Sequence, residues 1–293
     1  MILDGKDIRL SYFVSGEGTP VTLLHGFTQN GRSWLEVISK MPEAYMWIVP
    51  DLRGHGETRT REGSPCSMDA CARDLTMLWD HLGVEKTHLA GYSMGGRLAL
   101  HVAATMPERI ASLLTIGAHA GLDDEAREGR RRGDEALAAR IETDGLEAFV
   151  NHWSSLPLFA GLERRGPGFV AQARAERMTN HVAGLACSLR GMGAGVMQPL
   201  WQQLPRMTFP CTFVAGQLDH GYVSSARRLA AMVPQGRVEV VARAGHTVHL
   251  ERPEAFAHLF AAHLAAAASG ISTPEPEADP IVGDDWPSSS TSA

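Results

Sequence analysis

With 293 residues, 44% of them apolar, the chain has the length for one large α/β domain or a domain with an insertion, and apolar content enough for a full core. Its net charge of −6 is local: residues 270–293 hold Glu275, Glu277, Asp279, Asp284 and Asp285 and no Lys or Arg, and the nearly neutral remainder excludes a general nucleic-acid surface. No apolar run reaches membrane-spanning length, residues 1–7 lack a signal-peptide pattern, and Cys66, Cys71, Cys187 and Cys211 lack zinc or redox spacing, so they read as reduced thiols of a cytoplasmic protein.

In chain order, Ile8, Leu10, Tyr12 and Val14 alternate with polar residues, as in a half-exposed strand at a sheet edge. Val21–Leu24 is a buried strand running into His25-Gly26-Phe27, and a helix starts at Asn30 or Gly31 and runs through Ser39. Tyr45–Val49 is the next strand, feeding the polar glycine-rich loop Pro50–Thr58. Met68–Leu82 is an amphipathic helix with Cys71, Leu75, Leu78 and Leu82 on one stripe. Strand Thr87–Ala90, turn Gly91–Gly96 and a helix ended near Met106 by Pro107 follow, and then strand Ile110–Ile116. Strands alternating with helices predict a mostly parallel central sheet flanked by helices, residues 1–120 and 206–269 forming one core. Residues 121–205 carry helical periodicity, ten arginines and no lysine, and read as an inserted helical cap. Sheet character resumes at Cys211–Ala215 and Arg237–Val241, and a helix runs from Pro253 to about Ala268. Residues 270–293, rich in Pro, Ser, Thr and acids, predict a disordered tail.

The turn Gly91-Tyr92-Ser93-Met94-Gly95 is a G-x-S-x-G nucleophile elbow. A serine on a sharp strand-to-helix turn brings neighbouring backbone too close for Cβ atoms two positions either side, hence Gly91 and Gly95. Ser93 needs a base. Asp219 follows one late strand and His246 the last, in loops at the same sheet edge, and the order Ser93, Asp219, His246 is that expected of a triad here. His246 would take the serine proton and Asp219 would fix the imidazole tautomer. His249 is the rival base and otherwise a hydrogen-bonded structural histidine; His25 reads as structural. The backbone N–H groups of Met94 and Phe27 are the expected oxyanion hole.

On these residues, with Asp51-Leu52-Arg53-Gly54-His55-Gly56, the chain resembles the α/β-hydrolase superfamily. Narrower stretches resemble its 2-succinyl-6-hydroxy-2,4-cyclohexadiene-1-carboxylate synthases of menaquinone biosynthesis: Arg97 trailing the elbow; Arg127, Arg130 and Asp134; Trp153 before Leu156–Phe159; Ser188–Gly195; and Gln198–Trp201. The resemblance runs from about residue 1 to 265 and departs after Asp219, where His220, Gly221 and Tyr222 replace a basic residue followed by Phe.

The resemblance implies an α/β-hydrolase fold and a lyase that eliminates pyruvate from 2-succinyl-5-enolpyruvyl-6-hydroxy-3-cyclohexene-1-carboxylate, with no metal and no organic cofactor. It implies a small-molecule polycarboxylate as partner, bound by Arg97, Arg130 and Arg177 with Tyr92 and Trp153 as wall or hydrogen-bonding contacts. Arg131, Arg132, Arg164 and Arg165 read as solvated, and Arg190 is left between ligand contact and bracing the Gly191–Gly195 turn. The assembly reads as a monomer or small homo-oligomer. Two alternatives stay open: a serine hydrolase (C–C bond hydrolase, thioesterase or carboxylesterase) with Ser93 as nucleophile, and a non-catalytic ligand-binding protein.

Overall fold

The computed structural model describes residues 1–269; the tail reading falls outside them. Among the described residues, nine strands form one sheet: β1 (Ile2–Asp4), β2 (Ile8–Ser15), β3 (Thr19–Leu24), β4 (Tyr45–Pro50), β5 (Arg59–Thr60), β6 (Thr87–Tyr92), β7 (Ile110–Ile116), β8 (Cys211–Gly216) and β9 (Gly236–Val241). Their order is β1-β2-β4-β3-β6-β7-β8-β9, with β5 paired to β2. From β4 to β9 all pairs are parallel, whereas β2 runs antiparallel to β1, β4 and β5. The fold is the expected α/β class. One strand reading changes: Ile8–Ser15 is not at the edge, because residues 2–4 add a strand outside it through the register Ile2↔Ser11.

Every residue of β6 is buried, as a strand covered on both faces requires. On one face, α2 (Met68–His81), α3 (Met94–Thr105) and α7 (His220–Met232) contribute Leu75, Trp79, Leu98, Val102 and Leu229 to the core. On the other, Trp34, Val37, Phe256, Phe260 and Leu264 pack from a 3-10 turn Gly31–Trp34, the short helix α1 (Leu35–Ile38) and the last helix, Pro253–Ser269. The helix expected from Asn30 to Ser39 is therefore two short pieces. The Asn30 side chain accepts from the Arg32 N–H, which caps the first piece as a 3-10 turn.

Between β7 and β8 lie α4 (Asp124–Ser154), a 3-10 segment Pro157–Arg165, α5 (Pro167–Arg177) and α6 (Val182–Met192). Gly145, at φ 81°, breaks α4 into two helical stretches. Ala138, Ile141, Phe149 and Val150 of α4 and Leu185, Ala186 and Leu189 of α6 build a separate apolar core. After β9 come α8 (Val248–Glu251) and α9 (Pro253–Ser269). No described helix is long and apolar enough to cross a membrane.

Two of the four cysteines are not the reduced thiols expected. Cys66, just before α2, and Cys187, on α6, form a disulfide with Cα atoms 5.7 Å apart. Their 121-residue separation hid the pairing, which arises because α6 lies against the 64–67 loop: a Cβ on Gly191 would strike the Cys66 carbonyl. Cys71 and Cys211 are free and buried.

Candidate active site

The strand order reverses at β3 and β6, which sit side by side with Leu24 opposite Gly91. Chain departs in opposite directions from their carboxyl ends, opening a crevice there. The His25–Phe27 loop and Ser93 both emerge at that edge.

Ser93 has φ 52° and ψ −109°, a conformation L-residues rarely adopt, and it caps α3 without using its side chain. The turn is held by the Ser93 N–H donating to the Ile116 carbonyl at 2.8 Å. A Cβ on Gly91 would strike the Gly95 carbonyl, and one on Gly95 would strike the carbonyls of Leu24 and His25, so both glycines are sterically required.

His246, after β9, meets this serine and is itself met by Asp219, at the start of α7. His246 Nδ1 lies 2.7 Å from Asp219 Oδ2, and Nε2 lies 3.0 Å from Ser93 Oγ. With Nδ1 protonated, the ring donates to the carboxylate and accepts from the serine hydroxyl. His246 is 3% exposed, its ring 5.3 Å from that of Tyr92 and 4.6 Å from that of Tyr222.

His249 does not reach Ser93. It is buried between Trp34, at 4.7 Å, and Tyr92, at 4.5 Å, and neither ring nitrogen has a hydrogen-bond partner among the described residues. The hydrogen-bonded structural role gives way to an aromatic one, and burial lowers its pKa to about 3. His25 holds two loops together: Nε2 accepts from the Leu52 N–H at 2.9 Å and Nδ1 lies 2.8 Å from the Gly26 carbonyl. Burial lowers its pKa to about 4.

Met94 is the first residue of α3, so its N–H lacks an intrahelical acceptor. The Phe27 N–H makes no hydrogen bond among the described residues. A Cβ on Gly26 would lie 2.5 Å from the Tyr92 ring, which fixes the loop's approach to the elbow. Tyr92 itself is buried beneath the site.

The arginines divide by partner. Arg97, one turn into α3, donates to the Met192 carbonyl at 2.8 Å, and its pKa falls to about 10, chiefly through burial and then through Arg130. Arg177 is 4% exposed, donates to Thr28 Oγ1 at 3.3 Å and lies 5.1 Å over the Phe159 ring; burial lowers its pKa. Neither has a carboxylate partner among the described residues. Arg130 does: Nε donates to the buried Asp134 at 2.7 Å. Trp153 packs its ring 5.3 Å from that of Phe27, with its indole N–H buried and unpartnered among the described residues.

Arg131 and Arg132 pair with Glu128 on the surface. Arg165 is not merely solvated. It donates to the Leu250 carbonyl and both oxygens of Glu36, tying the 157–165 segment to the core. Arg164 lies 3.8 Å from Glu251. Arg190 grips Glu135 and Glu142 of α4 rather than bracing the Gly191–Gly195 turn. Sequence reasoning missed Glu251, buried against the His246 loop: five residues after the histidine, it looks like any solvated helical glutamate. It marked Tyr222 only as a departure, with no signal that the ring would cover His246. No group of three or more described His, Cys, Asp or Glu residues is arranged to hold a metal ion.

The alpha/beta hydrolase fold family model matches residues 19–253. The chain is 37% identical over 260 residues to a Bacillus subtilis (strain 168) protein provisionally named 2-succinyl-6-hydroxy-2,4-cyclohexadiene-1-carboxylate synthase, covering 86% of this chain and 94% of that one. It is 30% identical over 238 residues to the synthase of that name from Citrobacter koseri, covering 80% and 90%. Among solved structures it resembles MenH from S. aureus, with a TM-score of 0.83 and 29% identity over 88% of this chain and 98% of that one. It also resembles a malate-bound thermophilic esterase from Thermogutta terrifontis, with a TM-score of 0.78 and 28% identity over 89% and 94%. A family match from β3 through the last strand and a relative of this identity over nearly its full length lead to one conclusion: the chain belongs to the α/β-hydrolase fold family and, within it, to the 2-succinyl-6-hydroxy-2,4-cyclohexadiene-1-carboxylate synthases.

Proposed function

We propose that this chain is the pyruvate-eliminating lyase of menaquinone biosynthesis, acting on 2-succinyl-5-enolpyruvyl-6-hydroxy-3-cyclohexene-1-carboxylate. The observation that carries the reading is the pairing of a Ser93–His246–Asp219 chain with two buried or half-buried guanidiniums, Arg97 and Arg177, that form no salt bridge among the described residues. A buried cation without an acidic partner is costly, and an anionic ligand offsets that cost on binding. An apolar ester substrate gives no reason for them.

In the proposed reaction His246 Nε2 takes the Ser93 proton, and Ser93 Oγ removes a proton from the ring carbon beside the succinyl ketone. The electron pair moves onto the ketone oxygen, where the Phe27 and Met94 N–H groups would hold the dienolate. As the dienolate collapses to the diene, the ring C–O bond breaks and enolpyruvate leaves to become pyruvate. Asp219 keeps Nδ1 protonated and stabilises the imidazolium. Arg97, Arg130 and Arg177 bind substrate carboxylates in this reading, Arg130 with Asp134 as its resting partner, while Tyr92 and Trp153 wall the site.

Residues 1–120 and 206–269 are proposed as the core and 121–205 as the cap. The proposed compartment is the cytoplasm, since a polycarboxylate crosses no bilayer unaided. A monomer or small homo-oligomer is proposed as the working form.

The runner-up is a serine hydrolase with Ser93 as nucleophile, favoured by the 28% identity to an esterase. The test gives purified protein the freshly made enolpyruvyl substrate, following pyruvate and diene absorbance, and in parallel a p-nitrophenyl ester. The proposal expects fast pyruvate release, negligible ester cleavage and loss of pyruvate release in Ser93→Ala. Brisk ester cleavage with background pyruvate would replace it with the hydrolase.

A further inference from the structure

Glu251 closes α8 five residues after His246, with a side chain only 2% exposed. One carboxylate oxygen accepts from the Gly245 N–H at 2.8 Å. The other accepts from the Thr247 N–H at 3.1 Å and from the Thr247 hydroxyl at 2.9 Å. The two amides are those of the residues immediately before and after His246. One buried carboxylate thus spans the backbone of the candidate base.

A buried carboxylate is a costly way to close a short loop unless several donors face it. Here three do, and they fix the backbone on both sides of one side chain. With Gly245 and Thr247 pinned, the direction of the His246 Cα–Cβ bond is set, and with it the 2.7 Å and 3.0 Å contacts to Asp219 and Ser93. The inserted helical segment presses on the same carboxylate. A Cβ on Gly161 would overlap it, and the Arg164 guanidinium stands 3.8 Å away.

We propose that Glu251 is a positioning residue for the reaction, holding the His246 imidazole in line with Ser93 and Asp219 through the flanking amides. It touches neither substrate nor the reacting atoms. The proposal rests on the reading of His246 as the base.

The test compares the full-length wild type with Glu251→Gln and Thr247→Val. It measures kcat and KM for pyruvate release, the thermal midpoint, and the imidazole ¹⁵N resonances of His246, assigned by their loss in His246→Ala. Glutamine turns an NH₂ toward one of the donors, so one amide loses its acceptor. In Glu251→Gln we expect kcat to fall about 10–100-fold with KM within about twofold, and the His246 resonances to move. Thr247→Val, which removes one of three donors, is expected to lower kcat about three- to tenfold and to shift the same resonances. A folded Glu251→Gln protein with kcat within about twofold of wild type and unmoved His246 resonances would overturn the proposal. Should Glu251→Gln not fold, Thr247→Val decides by the same two readings. If the wild type cleaves the ester and releases no pyruvate, kcat is compared on the ester, so failure of the synthase reading and of the Glu251 proposal remain distinct.

Discussion

His246 Nε2 and Ser93 Oγ lie 3.0 Å apart although 153 residues separate them in the chain. The contact exists because β6 and β9 run parallel in one sheet and release their following loops at the same edge. If the serine is the base of the elimination, Ser93→Ala should lower kcat for pyruvate release at least about 10²–10⁴-fold. Asp219→Asn should cost a similar factor by favouring the wrong tautomer, about 10⁴-fold in comparable triads. Both proteins should stay folded by circular dichroism. Steady-state pyruvate assays provide the check, and wild-type rates in either variant would remove the triad from the mechanism.

If Arg177 binds substrate as proposed, it opposes stability to binding. Its guanidinium is held below its ordinary pKa by burial, so at neutral pH the folded state carries an ionised group it disfavours. Arg177→Met is expected to melt no lower than wild type, and by analogy with other buried cations it gains about 1–3 kcal/mol. The same change should raise KM at least about tenfold by removing a charge-assisted contact to a substrate carboxylate. Arg131→Ala, which cuts only a surface pair, should leave KM unchanged. Calorimetry and kinetics on the two variants decide the matter; equal KM values would return Arg177 to a packing role.

The buried histidines set an acid limit. His249 has a folded pKa near 3 against an ordinary 6.5, so as pH falls below 6.5 the unfolded chain takes up a proton that the folded chain refuses. Stability is therefore full above pH 6.5 and is lost toward pH 3, at about 1.4 kcal/mol per pH unit for one such group. His249→Phe fits the aromatic shell of Trp34, Tyr92 and Phe256 and sacrifices no hydrogen bond. Between pH 7 and pH 5 the variant should lose about 2 kcal/mol less stability than wild type. His25, His55, His119 and His263 are depressed in the same direction, so the acid slope should shrink but persist. Urea titrations at the two pH values measure the difference; identical slopes would contradict it.

The cysteines give a counting experiment. Under oxidising conditions the unfolded chain should alkylate at Cys71 and Cys211 only, and at all four positions after reduction. In the native state neither free thiol should react, since both are buried and burial pushes the Cys71 thiol up to about 12. Closing a 121-residue span is worth up to about 4–5 kcal/mol in a chain-entropy account, so Cys66→Ser should lower the thermal midpoint of oxidised protein. Mass spectrometry after alkylation reads the count, and four modified cysteines without reduction would argue against the bond.

Local signals made much of this protein legible. The elbow is five contiguous residues, and its two glycines are demanded by carbonyls of the same turn and of the adjacent strand. Apolar runs of strand length alternating with helices are enough to imply a parallel sheet, and the order of Ser93, Asp219 and His246 follows from which strand ends precede them. The chain could also name Arg97 and Arg177 as cations, since residue type is all that requires.

Only the tertiary structure decided which charges are neutralised. Arg130 meets Asp134 and Arg190 meets Glu135 and Glu142, while Arg97 and Arg177 meet no acid among the described residues; such pairing depends on side-chain positions to within a hydrogen bond. The same holds for the Cys66–Cys187 bond, for His249 in its aromatic shell rather than beside Ser93, and for Glu251 spanning the backbone of His246. Each joins residues whose separation, or whose ordinary appearance, leaves no periodic trace in the chain. Propensity and periodicity act over a few residues, whereas burial, ion pairing and ring stacking are settled when distant segments dock.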